Sequence, residues 1–495
     1  MPRLIDLMRA AGLISGSGEA EAGVAIAGLA ADSRAVRPGF LFAALPGTRA
    51  DGRAFIAEAV ANGAAAVLAP EGTMWPESVP TRPLLTDADP RRCLALMAAA
   101  FYGAQPKTIA AITGTNGKTS TADFLRQIWA GLHQGRAASL GTLGLVAPGH
   151  AAGPSLTTPD PVALAATLAR LAREGIDHAA IEASSHGLDQ RRLDGVRLAA
   201  AAFTTFSRDH LDYHGTMEAY LAAKLRLFDM LLSEGAPAVA HTALPNEARA
   251  RLHAIAASRR LRLLTVGPGG ESIAVERTEP SAEGQTLTLT HAGRRLRLGL
   301  PLIGFQGQNA LVAAMLAIAT GAEPEAVFAL LPRLAGVRGR IERVAVLGNG
   351  AAVYVDYAHT PDAIATVLAA LRPHVAGRLA IVLGAGGDRD AGKRPLMGEA
   401  AARGAEVVIV TDDNPRSEEP ALIRAAVLAG ARAAGAEPLE IGDRAEAIAA
   451  AIGLLGPGDV LVIAGKGHEQ GQEIAGRIIP FDDAAVARAA AARRA

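Results

Sequence analysis

The 495-residue sequence has a single cysteine, Cys93. That excludes a framework of internal disulfides and suits a reducing compartment. Net charge is missing too, since 49 Lys and Arg are matched by 49 Asp and Glu. With no basic excess there is no electrostatic case for nucleic acid as a partner, and no basic helix to seat the chain on an anionic membrane. No uninterrupted apolar run is long enough to span a bilayer. The start, Met1-Pro2-Arg3-Leu4-Ile5-Asp6, lacks the charged lead and apolar stretch of a secretory signal. Low-complexity linkers and fixed-period repeats are also absent. These absences together predict a cytoplasmic protein that uses neither membrane nor nucleic acid.

The sequence does have apolar mass. Half of the residues are hydrophobic, enough for several cores, and at ~150 residues per domain the length suggests about three domains. Alanine richness raises helix propensity throughout and blurs periodicity, so motifs locate elements better than pattern does.

The chain is organised around residues 110–120. An apolar, β-prone run, Thr108 to Thr113, feeds Gly114-Thr115-Asn116-Gly117, and a helical pattern begins at Lys118. This is strand, phosphate-binding loop, helix. The glycines let backbone N–H groups approach phosphate oxygens, and the helix N-terminus adds the positive end of its dipole. Lys118 would reach the β- and γ-phosphates and the Thr119 hydroxyl would hold Mg²⁺. Gly114, Thr115, Asn116, Gly117, Lys118, Thr119 and Ser120 are therefore the candidate ATP-binding loop. Ile112 stands where the general motif has its first glycine.

Three regions follow from the motifs: 1–106, 107–336 and 337–495. The first reads as a small α/β module, with turn chemistry at Asp32-Ser33-Arg34 and around Gly47–Gly52, a helix over Ala54–Asn62 and a strand over Ala65–Ala69. In the second, strand-like Asp177–Ala183 ends at Glu182, and strand-like Leu198–Phe206 runs on to Asp209-His210-Leu211-Asp212-Tyr213-His214-Gly215. Alternating strands and helices predict a parallel sheet with right-handed crossovers, whose ligands bind at the carboxyl ends of the strands. The loop, Glu182 and His210 all fall at such ends, which makes Glu182 and His210 candidate metal ligands. Lys224, within helical Met217–Leu232, reads by position alone as a solvated helix face. In the third region four strands, Ala352–Tyr357, Leu379–Leu383, Glu406–Thr411 and Asp459–Ala464, each lead into a polar or Gly-rich end. They predict a second doubly wound sheet. The tail Ala484–Ala495 reads as a surface helix.

Taken in order, the motifs resemble the Mur ligases of peptidoglycan synthesis over essentially the whole chain. The resemblance is carried by Asp32-Ser33-Arg34, Gly114–Thr119, Thr157-Thr158-Pro159, Glu182–Leu188, Asp209–Gly215, Asp356–Asp362, Gly386–Asp390 with Gly392-Lys393-Arg394-Pro395, Asp413–Arg416 and Gly465-Lys466-Gly467-His468-Glu469. It is strongest to the members that add the third peptide residue to UDP-N-acetylmuramoyl-L-alanyl-D-glutamate. It implies an α/β chain of three domains: a small UDP-binding domain, a central P-loop parallel-sheet ATPase and a C-terminal Rossmann-like domain for the incoming amino acid. Ala31, Ser33 and Thr48-Arg49-Ala50 would face the UDP-sugar; Thr157, Thr158, Ser184, Gln190 and Arg192 would hold the muramoyl dipeptide. Lys118, Glu182, His210 and Lys224 would be catalytic. Thr119, Glu182, His210 and a carbamylated Lys224 would hold Mg²⁺, and Asn309, Arg340, Asp356 and His359 would lie around the nucleotide. Asp413-Asn414-Pro415-Arg416 matches the form of the motif that goes with meso-diaminopimelate rather than lysine, so Arg389, Asp413, Asn414, Pro415, Arg416, Gly465 and Glu469 would receive that amino acid. An arginine fork suits the carboxylate that lysine lacks. The reaction implied is ATP-driven amide formation through an acyl phosphate, by a monomer.

The chain departs from the family pattern in places. Thr204-Thr205-Phe206 stands where Thr-Asn-Leu is expected, Leu156 replaces an Asn, and Gly304–Asn309 is one residue short. Three other readings stay open. Arg416 stands against a lysine-adding relative, and the Asp32-Ser33-Arg34 module stands against a folylpolyglutamate synthase. A catalytically inactive nucleotide-binding paralogue has only the Phe206 region in its favour.

Overall fold

A computed structural model describes residues 1–13, 23–47, 50–150, 153, 156–281 and 283–494. The chain forms two compact units, residues 1–272 with 312–327 and residues 273–311 with 328–495.

The first unit opens with four parallel strands in chain order, Gly28–Ala30, Phe40–Ala43, Ala66–Pro70 and Leu84–Asp87. Strand alternation sends Leu41 and Ala43 to one core, with Leu4, Leu7, Leu94 and Met97, and Phe42 to another, with Ile56 and Val67. The second sheet of this unit runs Gly144–Val146, Ala137–Gly141, His178–Glu182, Thr108–Thr113, Ala200–Phe203, Pro237–His241, Arg262–Gly267. All neighbours are parallel except the Gly144–Val146 edge. Its central strands are buried along their length and rich in alanine, as a sheet covered on both faces requires. No helix among the described residues is long and apolar enough to cross a membrane.

His178 opens one of these strands and stacks on His133 at 4.0 Å, with Trp129 at 5.2 Å. Its Nδ1 is buried without a hydrogen-bond partner. Burial, with His133 adding to it, pulls its pKa from 6.5 down to about 4. The unfolded chain thus takes up the proton first, and stability is lost as pH falls from 6.5 toward 4. Melting temperature against pH should show this slope in the wild type and a flatter one in His178→Phe.

The second unit begins with an antiparallel meander, Ile273–Ser281, Gly284–His291 and Arg294–Leu300. The parallel sheet expected within 107–336 stands in the first unit, and this antiparallel meander is an element beyond that expectation. The local sequence accounts for the change: Thr286-Leu287-Thr288-Leu289-Thr290 alternates, with Leu287 and Leu289 buried. Ala292 and Gly293, at φ 48 and 77, supply the two left-handed residues of a tight hairpin turn.

The remaining sheet is ordered Glu342–Val346, Ala352–Asp356, Val460–Ala464, Leu379–Leu383, Val407–Val410, Leu439–Glu440, parallel except at its first pair. The tail differs from the surface reading. The helix Asp483–Ala492 buries Ala484, Ala487, Ala490 and Ala491 against Ile448, Ile452 and Leu461, and Asp483 has no exposure.

Candidate functional site

In the first unit the strands ending at Thr113, Glu182 and Phe203 are neighbours, registered with Ile112 opposite Glu182 and Thr113 opposite Phe203. The chain leaves Thr113 through Gly114, at φ 151, and enters the helix Lys118–Leu132 through Gly117, at φ 85. Only glycine takes these angles without strain. At Gly114 a Cβ would also lie 2.0 Å from Thr204 Oγ1. Ile112 is buried within its strand, so the missing first glycine is no defect of the loop.

The loop is clamped by the segment that departs from the family pattern. Thr204 Oγ1 donates to Asn116 O at 2.6 Å, and Thr205 Oγ1 accepts from Asn116 N at 2.9 Å. Thr115 N donates to Thr205 O at 2.7 Å. Phe206 packs against Phe203 and Tyr220. The Thr-Thr-Phe sequence thus has a role of its own, holding the loop by threonine hydroxyls.

Lys118 Nζ donates to Gly114 O at 2.8 Å and Thr115 O at 2.9 Å. Lys224 Nζ meets the same Gly114 O at 2.8 Å and sits 4.4 Å from the Tyr220 ring centroid. Lys224 is 1% exposed, so the reading of a solvated helix face is wrong. Burial, and then the charge of Lys118, push its pKa well below the usual lysine value. Tyr220 also lies 3.2 Å, hydroxyl to hydroxyl, from Thr115. Sequence reasoning missed Tyr220, although its spacing of four from Lys224 on one helix was there to be seen.

Glu182 is 2% exposed. Thr119 Oγ1 donates to its Oε2 at 3.0 Å, Thr142 N to Oε1 at 2.7 Å and Thr142 Oγ1 to Oε2 at 3.2 Å. No motif pointed to Thr142. Gly141 makes room for this carboxylate, since a Cβ there would lie 1.9 Å from Glu182 Oε1. Gly141→Ala should displace the carboxylate from Thr119 and cut turnover by tenfold or more, on the order seen when a reacting group shifts by about 1 Å. Parallel phosphate-release and melting measurements would separate this from unfolding.

His210 adopts φ 51 and precedes the short helix Leu211–His214, its ring 4.8 Å from His186 and 6.0 Å from Tyr220. Thr158 Oγ1 donates to Glu182 O at 2.7 Å and lies 3.0 Å from Ser184 Oγ, while Thr157 Oγ1 lies 3.1 Å from Thr142 Oγ1. Arg192 donates to Thr158 O at 2.6 Å and to Gln190 Oε1 at 2.7 Å. The structure therefore brings Thr157, Thr158, Ser184, Gln190 and Arg192 together beside Glu182. Ser120 is buried in the first turn of the loop's helix. In the N-terminal module Ser33 Oγ donates to Glu58 at 2.8 Å, and Ala31 and Ala50 are exposed. Thr48 and Arg49 lie outside the described residues.

In the second unit Asn309 is buried and donates to Gln306 Oε1 at 3.0 Å, and Gln306 in turn donates to Arg340 O at 2.8 Å. Arg340 lies over the Tyr357 ring at 4.7 Å. The Asp356 carboxylate accepts from Ile341 N and Ala358 N, at 2.7 and 2.8 Å. His359 Nδ1 lies 2.8 Å from Tyr357 O.

The sheet's carboxyl edge gathers the other set. Arg416, at φ 54, donates from Nε to Glu473 at 3.1 Å and from Nη1 to Gly387 O at 2.7 Å. Asn414 is held on both ends of its amide: Nδ2 donates to Glu469 at 3.0 Å, and Oδ1 accepts from Lys466 Nζ at 2.7 Å and Glu473 N at 2.9 Å. Lys466 has no exposure. It stands in a quoted motif, but sequence reasoning gave it no role. Pro415 is buried, Gly465 has φ 117, and Arg389 is exposed with Cγ 3.7 Å from a Cβ built on Gly386. A cation fork beside carboxylates suits an amino acid that carries both charges.

Sequence models of the Mur ligase family match three stretches: the "Mur ligase family, catalytic domain" at 25–102, the "Mur ligase middle domain" at 112–317 and the "Mur ligase, glutamate ligase domain" at 339–467. The chain is 53% identical over 472 residues, 94% of each chain, to the UDP-N-acetylmuramoyl-L-alanyl-D-glutamate–2,6-diaminopimelate ligase of Rhizobium meliloti strain 1021. It is 54% identical over 467 residues to the ligase of the same name from Caulobacter vibrioides, covering 93% of this chain and 94% of that one. A solved structure of a ligase of that name superposes with a TM-score of 0.69 at 34% identity, over 97% of both chains. With the phosphate loop, the carboxylate beside it and the charged strand ends in place, these likenesses settle descent: the chain belongs to the Mur ligase family.

Proposed function

We propose that this protein joins meso-2,6-diaminopimelate to UDP-N-acetylmuramoyl-L-alanyl-D-glutamate at the expense of ATP, in the cytoplasm and as a monomer. The carrying observation is the buried Glu182 carboxylate bonded to Thr119 of the phosphate loop, in a chain 53% identical to a ligase of that name. We divide the labour as 1–106 for the UDP group, 107–336 for ATP and 337–495 for the incoming amino acid.

A free carboxylate is a poor acyl donor, because oxide would have to leave. In the reading offered here, an oxygen of the D-Glu side-chain carboxylate takes the γ-phosphoryl group and ADP departs. The diaminopimelate amine then attacks the acyl carbon. The tetrahedral intermediate collapses to the amide as phosphate leaves with the C–O electron pair and the amine sheds its proton. Lys118 spreads the charge of the transferring group. Thr157, Thr158, Ser184, Gln190 and Arg192 hold the dipeptide. Gly114–Ser120 cradle the phosphates, with Asn309, Arg340, Asp356 and His359 assigned to the nucleotide. The fork of Arg416 with exposed Arg389 takes the distal carboxylate of diaminopimelate, and Asp413 and Glu469 face its ammonium groups.

The donors fit Mg²⁺. Hydroxyl and carboxylate oxygens meet at Thr119 and Glu182. This suits an ion that takes one or two carboxylates and completes its shell with phosphates and water. Thr119, Glu182, His210 and carbamylated Lys224 would hold it, and it would supply charge neutralisation at the phosphates. Lys224 is suited to carbamylation because desolvation favours its neutral amine, the form that adds CO₂.

The test is phosphate release by the purified chain. It should need ATP, the UDP-muramoyl dipeptide and diaminopimelate together. Binding of all three without phosphate release would overturn the enzyme reading, and turnover with lysine but not diaminopimelate would overturn the specificity.

A further inference from the structure

Arg444 opens the helix Arg444–Gly453, and Asp483 opens the helix Asp483–Ala492. Both side chains have no exposure. Arg444 donates from Nε to Asp483 Oδ1 and from Nη2 to Oδ2, each at 2.7 Å, as a two-pronged pair. Burial pulls the arginine pKa down, but the Asp483 carboxylate more than offsets this, so the guanidinium stays charged.

The guanidinium has further contacts. Nη2 reaches Ala464 O at 3.0 Å, and Nη1 reaches Asp412 O at 3.4 Å and lies 3.9 Å from Asp413 Oδ2. Ala464 ends the Val460–Ala464 strand, and Asp412 lies just beyond the Val407–Val410 strand. These strands are not neighbours, because Leu379–Leu383 runs between them. One buried group therefore spans the roots of the two loops that carry Asp413–Arg416 and Gly465–Glu469. Space around it is tight: a Cβ at Gly465 would lie 2.4 Å from Asp413 Oδ2. That oxygen is buried with no hydrogen-bond partner, so the facing charge of Arg444 and the packed walls locate it.

A buried ion pair is a poor source of stability, since desolvating two charges offsets most of their attraction. It does supply fixed geometry. We infer that Arg444, anchored by Asp483, is a positioning residue for the amine site: it sets the spacing of the two loops that receive diaminopimelate, and through them the KM for that substrate. The inference rests on the functional reading above, which places the amine there.

Two variants test it. Arg444→Met with Asp483→Leu removes both members of the pair, so neither is left as an unpaired buried charge. Arg444→Lys keeps the charge but lacks the fork that spans both loops. In the double variant KM for diaminopimelate should rise on the order of tenfold to a hundredfold, the scale of a misplacement of about 1 Å. KM for ATP and for the UDP-dipeptide should stay within about twofold, and the melting temperature should fall modestly, because Ala464 O and Asp412 O lose a donor and Asp413 its facing charge. Arg444→Lys should fall between the wild type and the double variant. A folded double variant with an unchanged diaminopimelate KM, or with equal losses for all three substrates, would overturn the inference alone. A wild type that cannot use diaminopimelate would overturn the functional reading and this inference with it.

Discussion

Lys224→Met should melt at or above the wild-type temperature and lose on the order of 10²–10³ in turnover. The two effects run in opposite directions for one reason. In the folded chain the Lys224 amine is buried, with Gly114 O as its hydrogen-bond acceptor and Lys118 drawn to the same carbonyl. Methionine fills nearly the same volume without a charge, so packing is kept and the desolvation penalty disappears. Gly114 O keeps Lys118 as a donor. Turnover suffers because the amine is the proposed attachment point for the carbamate oxygens beside the phosphates. The pH dependence has a definite sign. The folded pKa lies below the ordinary 10.5, so the unfolded chain holds the proton more tightly. The penalty on the native state is complete below the folded pKa and is relieved as pH rises toward 10.5. Denaturant midpoints of wild type and Lys224→Met should therefore differ most at low pH and converge as pH rises. A variant that keeps full turnover would remove Lys224 from the mechanism.

Arg416→Ala is the second large effect. It should cost about 2–5 kcal/mol in kcat/KM for diaminopimelate, the range for losing one partner of a desolvated charge pair. KM for the UDP-dipeptide should barely move. The guanidinium is pre-aimed in this structure, with Glu473 and Gly387 O fixing Nε and Nη1. The backbone is held as well: Arg416 N donates to Glu473 O at 3.0 Å and Ala475 N to Arg416 O at 2.7 Å. Lysine at this position could not reproduce the fork, so Arg416→Lys should recover little. Steady-state kinetics with each substrate varied in turn would decide the matter, and equal losses for both would refute the assignment.

The resemblance was legible because a phosphate loop is local chemistry. Gly114 and Gly117 are required by the angles of a few successive residues, and Lys118 and Thr119 follow directly on them. The strand over Thr108–Thr113 and the helix beginning at Lys118 were found at those residues for the same reason. Glu182 and the Asp413–Arg416 segment could be proposed because strands of a parallel sheet present their functional groups at their carboxyl ends. The meander at 273–300 carries its signal in strand alternation, and Tyr220 in its helical spacing from Lys224, but neither lies in a motif.

The sequence alone determined the phosphate loop, the order of the motifs and the form of the Asp413–Arg416 segment on which the proposed choice of amine rests. What only the tertiary structure decided is how the charges pair. Lys224 meets Gly114 across 110 residues, Thr142 meets Glu182 across 40, and Arg444 meets Asp483 across 39. No local propensity encodes such pairs, because a buried charge takes whichever partner folding brings within reach. That is why Lys224 reads as solvated in the chain and proves buried in the fold, and why an alanine-rich tail that reads as surface carries the buried carboxylate that pairs with Arg444.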